Sequence, residues 1–170
     1  MARSVRNRNW ALLGFSSSAV SQTAEALLAS PMRTQRKVSK VPYKVLDAPS
    51  LQDDFYLNLV DWSALNVLAV GLDTCVYLWS AFTSKVTRLA DIGPETVTSV
   101  QWTKRGQHLA VGQSNGTVVI FDTVKCEPIR TMLGHSQRVC ALAWSSSLLS
   151  TAGRDRTILN RDLRVPRHFI

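Results

Sequence analysis

The tripeptide VDW at residues 60–62 returns as VQW at residues 100–102 and as LAW at residues 142–144, so the three tryptophans are spaced 40 and 42 residues apart. A short apolar run that ends in glycine follows each tryptophan. These glycines are spaced 41 residues apart: Gly71, Gly112 and Gly153. A repeat of about 40–45 residues with several short strands is typical of a β-propeller blade. Since one blade cannot bury both of its faces alone, the repeat predicts an all-β fold of stacked blades.

The pattern of apolar residues within each unit predicts the strands of a blade. Val60 and Trp62 share one face of a strand, because successive side chains point to opposite faces. The turns that join the second and third strands are rich in Asp, Asn and Gly, as tight hairpins require. They lie at residues 71–73, 112–116 and 153–155. Outer strands are expected at residues 85–89 and 128–133, while the third unit offers only residues 168–170 at this position.

The repeats divide the chain into three predicted parts. Residues 1–40 form a disordered basic tail, residues 41–56 lead into the propeller as a short strand over 41–46 and a turn, and residues 57–170 form the blades. The blades are predicted at residues 57–93, 94–134 and 135–170, with the last one incomplete. A ring of seven blades needs roughly 280 residues at this repeat length, so we expect a partial propeller of about three of seven blades.

The net charge of +8 is concentrated in the tail. Residues 1–44 hold eight basic residues and one acidic residue, a net charge of +7, whereas residues 45–170 hold twelve and eleven, a net charge of +1. Such an arm is typically solvated and disordered; a basic arm can also contact nucleic acid or an acidic partner, and an Arg- and Ser-rich start can resemble a transit peptide. Because the repeats are nearly neutral, we predict no nucleic-acid partner. The sequence has no run of about 18 apolar residues, so we also predict no membrane partner.

The cysteines and histidines predict neither a metal site nor a disulfide framework. The cysteines lie far apart and form no C-x-x-C pair: Cys75, Cys126 and Cys140. The three histidines form no cluster of ligands. We therefore predict that the protein has no metal and no cofactor, and that it resides in a reducing compartment.

The third unit resembles the WD-repeat pattern. In that pattern a histidine, a turn aspartate, a strand serine or threonine and a strand tryptophan are hydrogen bonded within one blade. His135 and Asp155 fit the pattern, but Arg161 stands where the tryptophan is expected, so we predict an incomplete network. A His–Asp pair without a positioned nucleophile does not form a catalytic triad, so the structural role is favoured. No other catalytic set is present in the sequence, and we predict that the protein is not an enzyme.

Ser30 begins the sequence SPMR at residues 30–33, which has the form of a proline-directed kinase site. A phosphate there would add a charge of about −1.5 to −2 to the basic arm. A simple turn explains the same four residues equally well.

Two longer stretches carry a resemblance to a known family. The sequences RKVSKVPYKVLDAP at residues 36–49 and LQDDFYLNLVDWS at residues 51–63 closely resemble the Fizzy-related family of WD-repeat co-activators of the anaphase-promoting complex. The similarity continues through residues 75–81 and 150–165, above all in GRDR at residues 153–156. It covers about residues 30–170.

This resemblance implies recognition of degrons, the short linear motifs that mark proteins for ubiquitination. Leu46 would line a pocket for the leucine of a destruction box, and Asp47 would pair with the arginine of that motif. Asp54 would contact the lysine of a KEN box. The implied partners are subunits of the anaphase-promoting complex and degron-bearing substrates, the implied location is the nucleus and cytoplasm, and Ser30 fits the family's inhibition by kinases.

The chain also departs from the family pattern. Four blades are lacking, including the one expected to form the second wall of the destruction-box groove, and neither a DRYIP-like box nor a C-terminal Ile-Arg pair is found. We therefore expect an N-terminal fragment whose degron binding is weakened. The alternative is a generic WD-repeat scaffold that does not bind degrons.

Overall fold

A computed structural model describes residues 36–165, which form eleven strands in three antiparallel sheets and contain no helix. The chain divides into two compact units, residues 1–45 and residues 46–170. Of the first unit, residues 36–45 are described, and they are exposed coil. The short strand expected over residues 41–46 does not form. A strand needs a neighbouring edge to bond its backbone groups, none pairs with this segment, and Pro42 has no N–H to donate.

Each sheet is a meander of strands that are consecutive in the sequence. Blade 1 contains β1 (Val60–Trp62), β2 (Val67–Leu72), β3 (Cys75–Ser80) and β4 (Val86–Asp91). Blade 2 contains β5 (Val97–Trp102), β6 (His108–Gln113), β7 (Val118–Asp122) and β8 (Glu127–Met132). Blade 3 contains, within the described residues, β9 (Val139–Ser145), β10 (Leu148–Gly153) and β11 (Ile158–Asp162). Residues 168–170, named above for an outer strand, lie outside the described range.

The central blade buries both of its faces, which shows that the three sheets stack side by side. In β7, Val119 and Phe121 belong to the core shared with blade 1, while Val118 and Ile120 belong to the core shared with blade 3. Successive side chains of β7 point to opposite faces of the sheet, so one run of apolar residues contributes to two hydrophobic cores. Each fully buried aliphatic side chain contributes about 1.5–3 kcal/mol, so the blades stabilise one another.

The recurring tryptophans join neighbouring blades at their first strands. The indole Nε1 of Trp102 donates to the backbone oxygen of Asp61 at 3.2 Å, and that of Trp144 donates to the backbone oxygen of Gln101 at 3.3 Å. Each tryptophan thus bonds to the residue just before the tryptophan of the preceding blade. The tripeptides thus lie in the first strand of each blade.

The recurring glycines lie where another group approaches the backbone closely. A Cβ atom added to Gly71 would lie 2.6 Å from Cγ1 of Val97 in blade 2. A Cβ atom on Gly112 would collide with Ser99 and would lie 3.0 Å from Cβ of Val139 in blade 3. At Gly153 the added atom would lie 2.7 Å from Nδ1 of His135. These glycines are therefore required by packing rather than by backbone conformation.

Candidate functional site

Residues 46–51 lie over the face of blade 1 that points away from blade 2. This segment and the blade line a cavity of about 820 Å³ that is open to solvent. The wall formed by the blade is mainly apolar. It includes Val60, Leu68, Val70, Tyr77 and Trp79, which alternate with the residues packed against blade 2. The opposite wall is formed by the LDAPSL segment. This cavity is called the blade 1 cavity below.

Leu46 and Asp47 both line the blade 1 cavity, and the binding roles that the resemblance implies for them stay predictions. Leu46 is 39% exposed, so its side chain retains apolar surface that a ligand can cover. Asp47 is exposed and makes no salt bridge or hydrogen bond among the described residues. The local turn is closed by a backbone bond from Leu51 N to Ala48 O at 3.4 Å. An apolar surface beside an available carboxylate can bind a peptide that offers an aliphatic and a cationic side chain.

Asp54 does not line this cavity and lies instead at a contact with blade 3. Its Oδ1 accepts the backbone N–H of Tyr56 at 2.9 Å, and its Oδ2 accepts from Nη1 of Arg138 at 3.2 Å. Arg138 immediately precedes β9, and its guanidinium carbon lies 5.5 Å from the centre of the Tyr56 ring. The structure therefore separates Asp54 from Leu46 and Asp47, which gives two candidate sites rather than one.

The segment that carries Asp54 is bonded to blades 2 and 3. Asn58 forms a parallel bridge with Ser99 of β5, and its side-chain Nδ2 donates to the backbone oxygen of Cys140 in β9 at 2.6 Å. These bonds fix the backbone close to Asp54 relative to Arg138. Sequence reasoning missed Arg138 because 84 residues separate it from Asp54, and no local motif marks it.

The network of the third blade is more complete than the sequence predicted. His135 Nδ1 donates to Oδ2 of Asp155 at 2.9 Å, since an ionised carboxylate can only accept. His135 Nε2 lies 2.8 Å from Oγ1 of Thr151, and Nε of Arg161 donates to the same oxygen at 3.3 Å. The prediction of an incomplete network is therefore wrong. Arg161 occupies the position expected for tryptophan. It is fully buried and supplies the last hydrogen bond of the network, to Thr151.

The surroundings of this network perturb the acidity of two of its members. Burial raises the pKa of Asp155, but hydrogen bonds from the side chain and backbone of Thr157, from His135 and from the backbone of Ser136 outweigh it and hold the pKa well below its usual range. Burial lowers the pKa of the Arg161 guanidinium. These contacts pair polar groups inside a blade, and the hydroxyl of Thr151 beside His135 is fully buried, which supports a structural role for the network.

Two further findings concern residues 36–165. No group of three or more His, Cys, Asp or Glu side chains in this range is placed to hold a metal ion. None of the described segments is a helix with the length and hydropathy of a membrane span. Ser30, the predicted phosphorylation site, lies outside the described residues, so its role stays a prediction.

Comparison with known proteins identifies the family. Residues 77–147 match the family model described as the WD40 domain of anaphase-promoting complex subunit 4. The chain is 62% identical over 145 residues to Protein FIZZY-RELATED 1 of Arabidopsis thaliana, and this match covers 85% of the present chain and 30% of the relative. It is 51% identical over 152 residues to anaphase-promoting complex subunit cdh1 of Dictyostelium discoideum, and this match covers 88% of the present chain and 20% of that protein.

The chain belongs to the Fizzy-related family. A chain in the crystal structure of a mitotic checkpoint complex matches the Fizzy-related protein with a TM-score of 0.77 and 42% sequence identity. The match covers 83% of the present chain and 44% of the solved one. Together with the three stacked sheets, it confirms the all-β, partial WD-repeat propeller that the sequence predicted. The Fizzy-related chain spans less than a third of the length of the curated relatives described above.

Proposed function

We propose that this Fizzy-related chain recruits proteins carrying destruction-box and KEN-box degrons to the anaphase-promoting complex and thereby activates that ubiquitin ligase. The name of the Dictyostelium relative and the match to a chain of a mitotic checkpoint complex support a role in this system. The observation that carries the proposal is the blade 1 cavity, whose lining includes both Leu46 and the exposed Asp47. The chain binds and orients substrate proteins, and no bond-breaking step is assigned to it.

The blade 1 cavity is suited to the destruction-box motif. The leucine of the motif would cover Leu46 and the apolar wall that includes Leu68 and Val70. The arginine of the motif would reach Asp47, because a carboxylate accepts two parallel N–H bonds from a guanidinium. Asp54 would bind the lysine of a KEN box at the separate site beside blade 3.

The proposal is tested with a labelled destruction-box peptide and the full chain. Asp47→Asn should weaken binding by about fivefold, the upper range for a charge pair that remains open to water. A peptide whose arginine is replaced by alanine should lose a similar factor and should show no further loss with Asp47→Asn. Asp53→Asn is the matched control, because Asp53 is an exposed aspartate of the same segment that does not line the cavity. Equal affinity of the Asp47→Asn variant and the wild type would refute the role of Asp47.

The alternative is a WD-repeat scaffold that does not bind degrons. Pull-down of subunits of the anaphase-promoting complex, run alongside the peptide assay, separates the two functions. Recovery of other proteins without ligase subunits and without degron binding would favour the scaffold.

Affinity and location belong to the same proposal. We expect weaker degron binding than in a longer family member, because the described residues supply one blade wall to the cavity.

We also propose the nucleus and cytoplasm as the location. The free thiols of all three cysteines support a reducing compartment.

A further inference from the structure

Two large apolar side chains lie exposed in the hairpin turns at one end of blade 1. Leu65, in the turn between β1 and β2, is 54% exposed, and Phe82, in the turn between β3 and β4, is 77% exposed. The two turns adjoin, since the backbone N–H of Ala81 donates to the backbone oxygen of Asn66 at 2.9 Å. A single exposed apolar residue is common on protein surfaces, whereas neighbouring ones in turns mark a surface suited to a partner.

Basic side chains lie next to this apolar surface. Lys85 ends the second of the two turns, and Lys104 and Arg105 lie in the turn between β5 and β6 of blade 2. All three are exposed. The blade 2 turn contacts the first turn of blade 1, because a Cβ atom added to Gly106 would lie 3.2 Å from Cγ of Leu65. The cations and the apolar residues therefore share one end of blades 1 and 2.

The charge of these three turns is not balanced locally. Residues 63–66, 81–85 and 103–107 contain no Asp or Glu, and none of their cations forms a salt bridge among the described residues. Asp61, which lies two residues before the first turn, is used within the fold. Its Oδ2 accepts the backbone N–H of Trp102 at 2.6 Å, and its Oδ1 accepts that of Trp62 at 2.9 Å. The positive charge is therefore available to a ligand.

The turns are held in place by their own hydrogen bonds. The backbone N–H of Leu65 donates to Oγ of Ser63 at 3.0 Å, and the indole Nε1 of Trp62 donates to Oδ1 of Asn66 at 3.3 Å. In blade 2 the backbone N–H of Gly106 donates to the oxygen of Thr103 at 2.8 Å. A ligand does not have to order these backbone segments, which lowers the entropic cost of binding.

The surface formed by these turns is called the turn patch, and it consists of Leu65, Phe82, Lys85, Lys104 and Arg105. We propose that the turn patch docks an acidic protein segment that carries an aromatic or aliphatic side chain. The apolar side chain of the segment covers the apolar residues of the patch, and its carboxylates pair with the cations. Nucleic acid is disfavoured, because residues 45–170 hold twelve basic and eleven acidic residues, a net charge of +1.

The turn patch is separate from the sites proposed for degrons. It shares no residue with the blade 1 cavity or with the contact between Asp54 and Arg138. It lies where β1 and β5 end, whereas Arg138 precedes β9, the corresponding first strand of blade 3. The inference therefore goes beyond the proposed function and adds a binding surface at the other end of the blades.

The test compares binding of two labelled peptides of equal length to the full chain. Both carry a phenylalanine and a leucine, which are flanked by glutamates in the first peptide and by glutamines in the second. Wild type should bind the glutamate peptide about tenfold more tightly, the sum expected for a few exposed ion pairs. This preference should largely disappear at about 1 M salt, because exposed charges are then screened.

Substitution of the cations tests the charged part of the patch. Lys104→Gln combined with Arg105→Gln should remove most of the preference for the glutamate peptide. Arg154→Gln combined with Arg156→Gln is the matched control, since it removes two exposed arginines of a blade 3 turn, and it should keep the preference. If the double variant of the patch melts at a lower temperature than wild type, Lys104→Gln alone should still reduce the preference.

Substitution of Phe82 tests the apolar part. Phe82→Ser should weaken binding of both peptides by about fivefold and should leave the ratio between them unchanged. Val124→Ser is the matched control, because Val124 is 84% exposed in the turn between β7 and β8 and lies outside the patch. This control should bind both peptides as wild type does.

Four outcomes overturn the inference. The first is a preference for the glutamate peptide that survives loss of both patch cations, and the second is an equal effect of Phe82→Ser and Val124→Ser. The third is displacement of the glutamate peptide by a destruction-box peptide, which would place it in the blade 1 cavity. The fourth is tighter binding of duplex DNA or of phosphatidylserine vesicles that is lost in the same double variant, since the ligand would then not be a protein. None of these results bears on Asp47, so failure here is distinct from failure of the proposed function.

Discussion

Arg161 donates from Nε to Oγ1 of Thr151 at 3.3 Å, and through Nη1 to the backbone oxygen of Leu133 at 2.9 Å. A fully buried guanidinium thus connects β10 and β11 of blade 3 to the end of blade 2. Because Thr151 also contacts His135, the arginine completes a network that lacks the expected tryptophan. The stability of the third blade should therefore depend on this side chain.

Replacing Arg161 with Ala should destabilise the protein strongly. The change leaves the buried hydroxyl of Thr151 without this donor, at about 1–3 kcal/mol, removes the bond to the carbonyl of Leu133, and opens a cavity as well. Arg164→Ala is the control, since the side chain of Arg164 is largely exposed and its ion pair with Asp162 should contribute no more than about 1 kcal/mol. Chemical denaturation measures both variants, and similar losses would contradict the role given to Arg161.

Gly71→Ala should destabilise the contact between blades 1 and 2. The new methyl group would overlap Cγ1 of Val97, and overpacking of this kind costs about 1–3 kcal/mol. In the double variant Gly71→Ala with Val97→Ala, the two losses should be less than additive because the overlap is relieved. Strict additivity in denaturation experiments would show that the glycine is not required for the close approach.

Asp155→Asn should change the dependence of stability on pH. The folded protein holds the pKa of Asp155 below its ordinary value of 3.8, so the carboxylate adds stability above that value. This contribution is lost as the pH falls through the lower folded pKa. The free energy of unfolding of wild type should therefore exceed that of Asp155→Asn at neutral pH, and the difference should shrink below about pH 4. Asp53→Asn provides the control, and a difference that stays constant into acid would argue against the prediction.

Leu46→Ala should weaken binding of the destruction-box peptide. The exposed part of Leu46 offers apolar surface for the leucine of the motif, and its loss should cost roughly 1 kcal/mol, or about fivefold in affinity. Leu133→Ala is the matched control, because this leucine is also exposed and does not line the blade 1 cavity. Fluorescence anisotropy with the labelled peptide compares them, and equal effects would remove Leu46 from the site.

The isolated chain should self-associate. Val60, Trp62 and Val86 lie on the face of blade 1 that points away from blade 2 and are each about half exposed, which is unusual for large apolar residues of one sheet face. Exposed apolar sheet faces and strand edges promote association. Light scattering after size-exclusion chromatography should detect oligomers or aggregates, and Trp62→Ser should reduce them. A monodisperse wild-type monomer would be the contrary result.

The repeats, the strand order and the glycine positions could be predicted because each depends on residues close together in the chain. Alternation over two residues sets the faces of a strand, and hairpin turns depend on Asp, Asn and Gly within a few positions. The strand expected over residues 41–46 failed for the opposite reason, since a strand also needs a partner edge that local sequence does not supply. The reason that a glycine is needed at position 71 is visible only in the folded protein, where Val97 of the next blade approaches it closely.

The sequence by itself determined that this is a chain of stacked β-blades of the Fizzy-related family, with its basic residues concentrated in the tail. Only the tertiary structure decided that Arg161 replaces a tryptophan as a donor, that Leu46 and Asp47 share a cavity, and that Arg138 occupies Asp54. The physical reason is that these contacts join groups that are close in space but far apart in the sequence. Side-chain hydrogen bonds and ion pairs form over about 3 Å in space, whereas the groups that form them here are up to 84 residues apart, and no local pattern encodes which distant side chains meet.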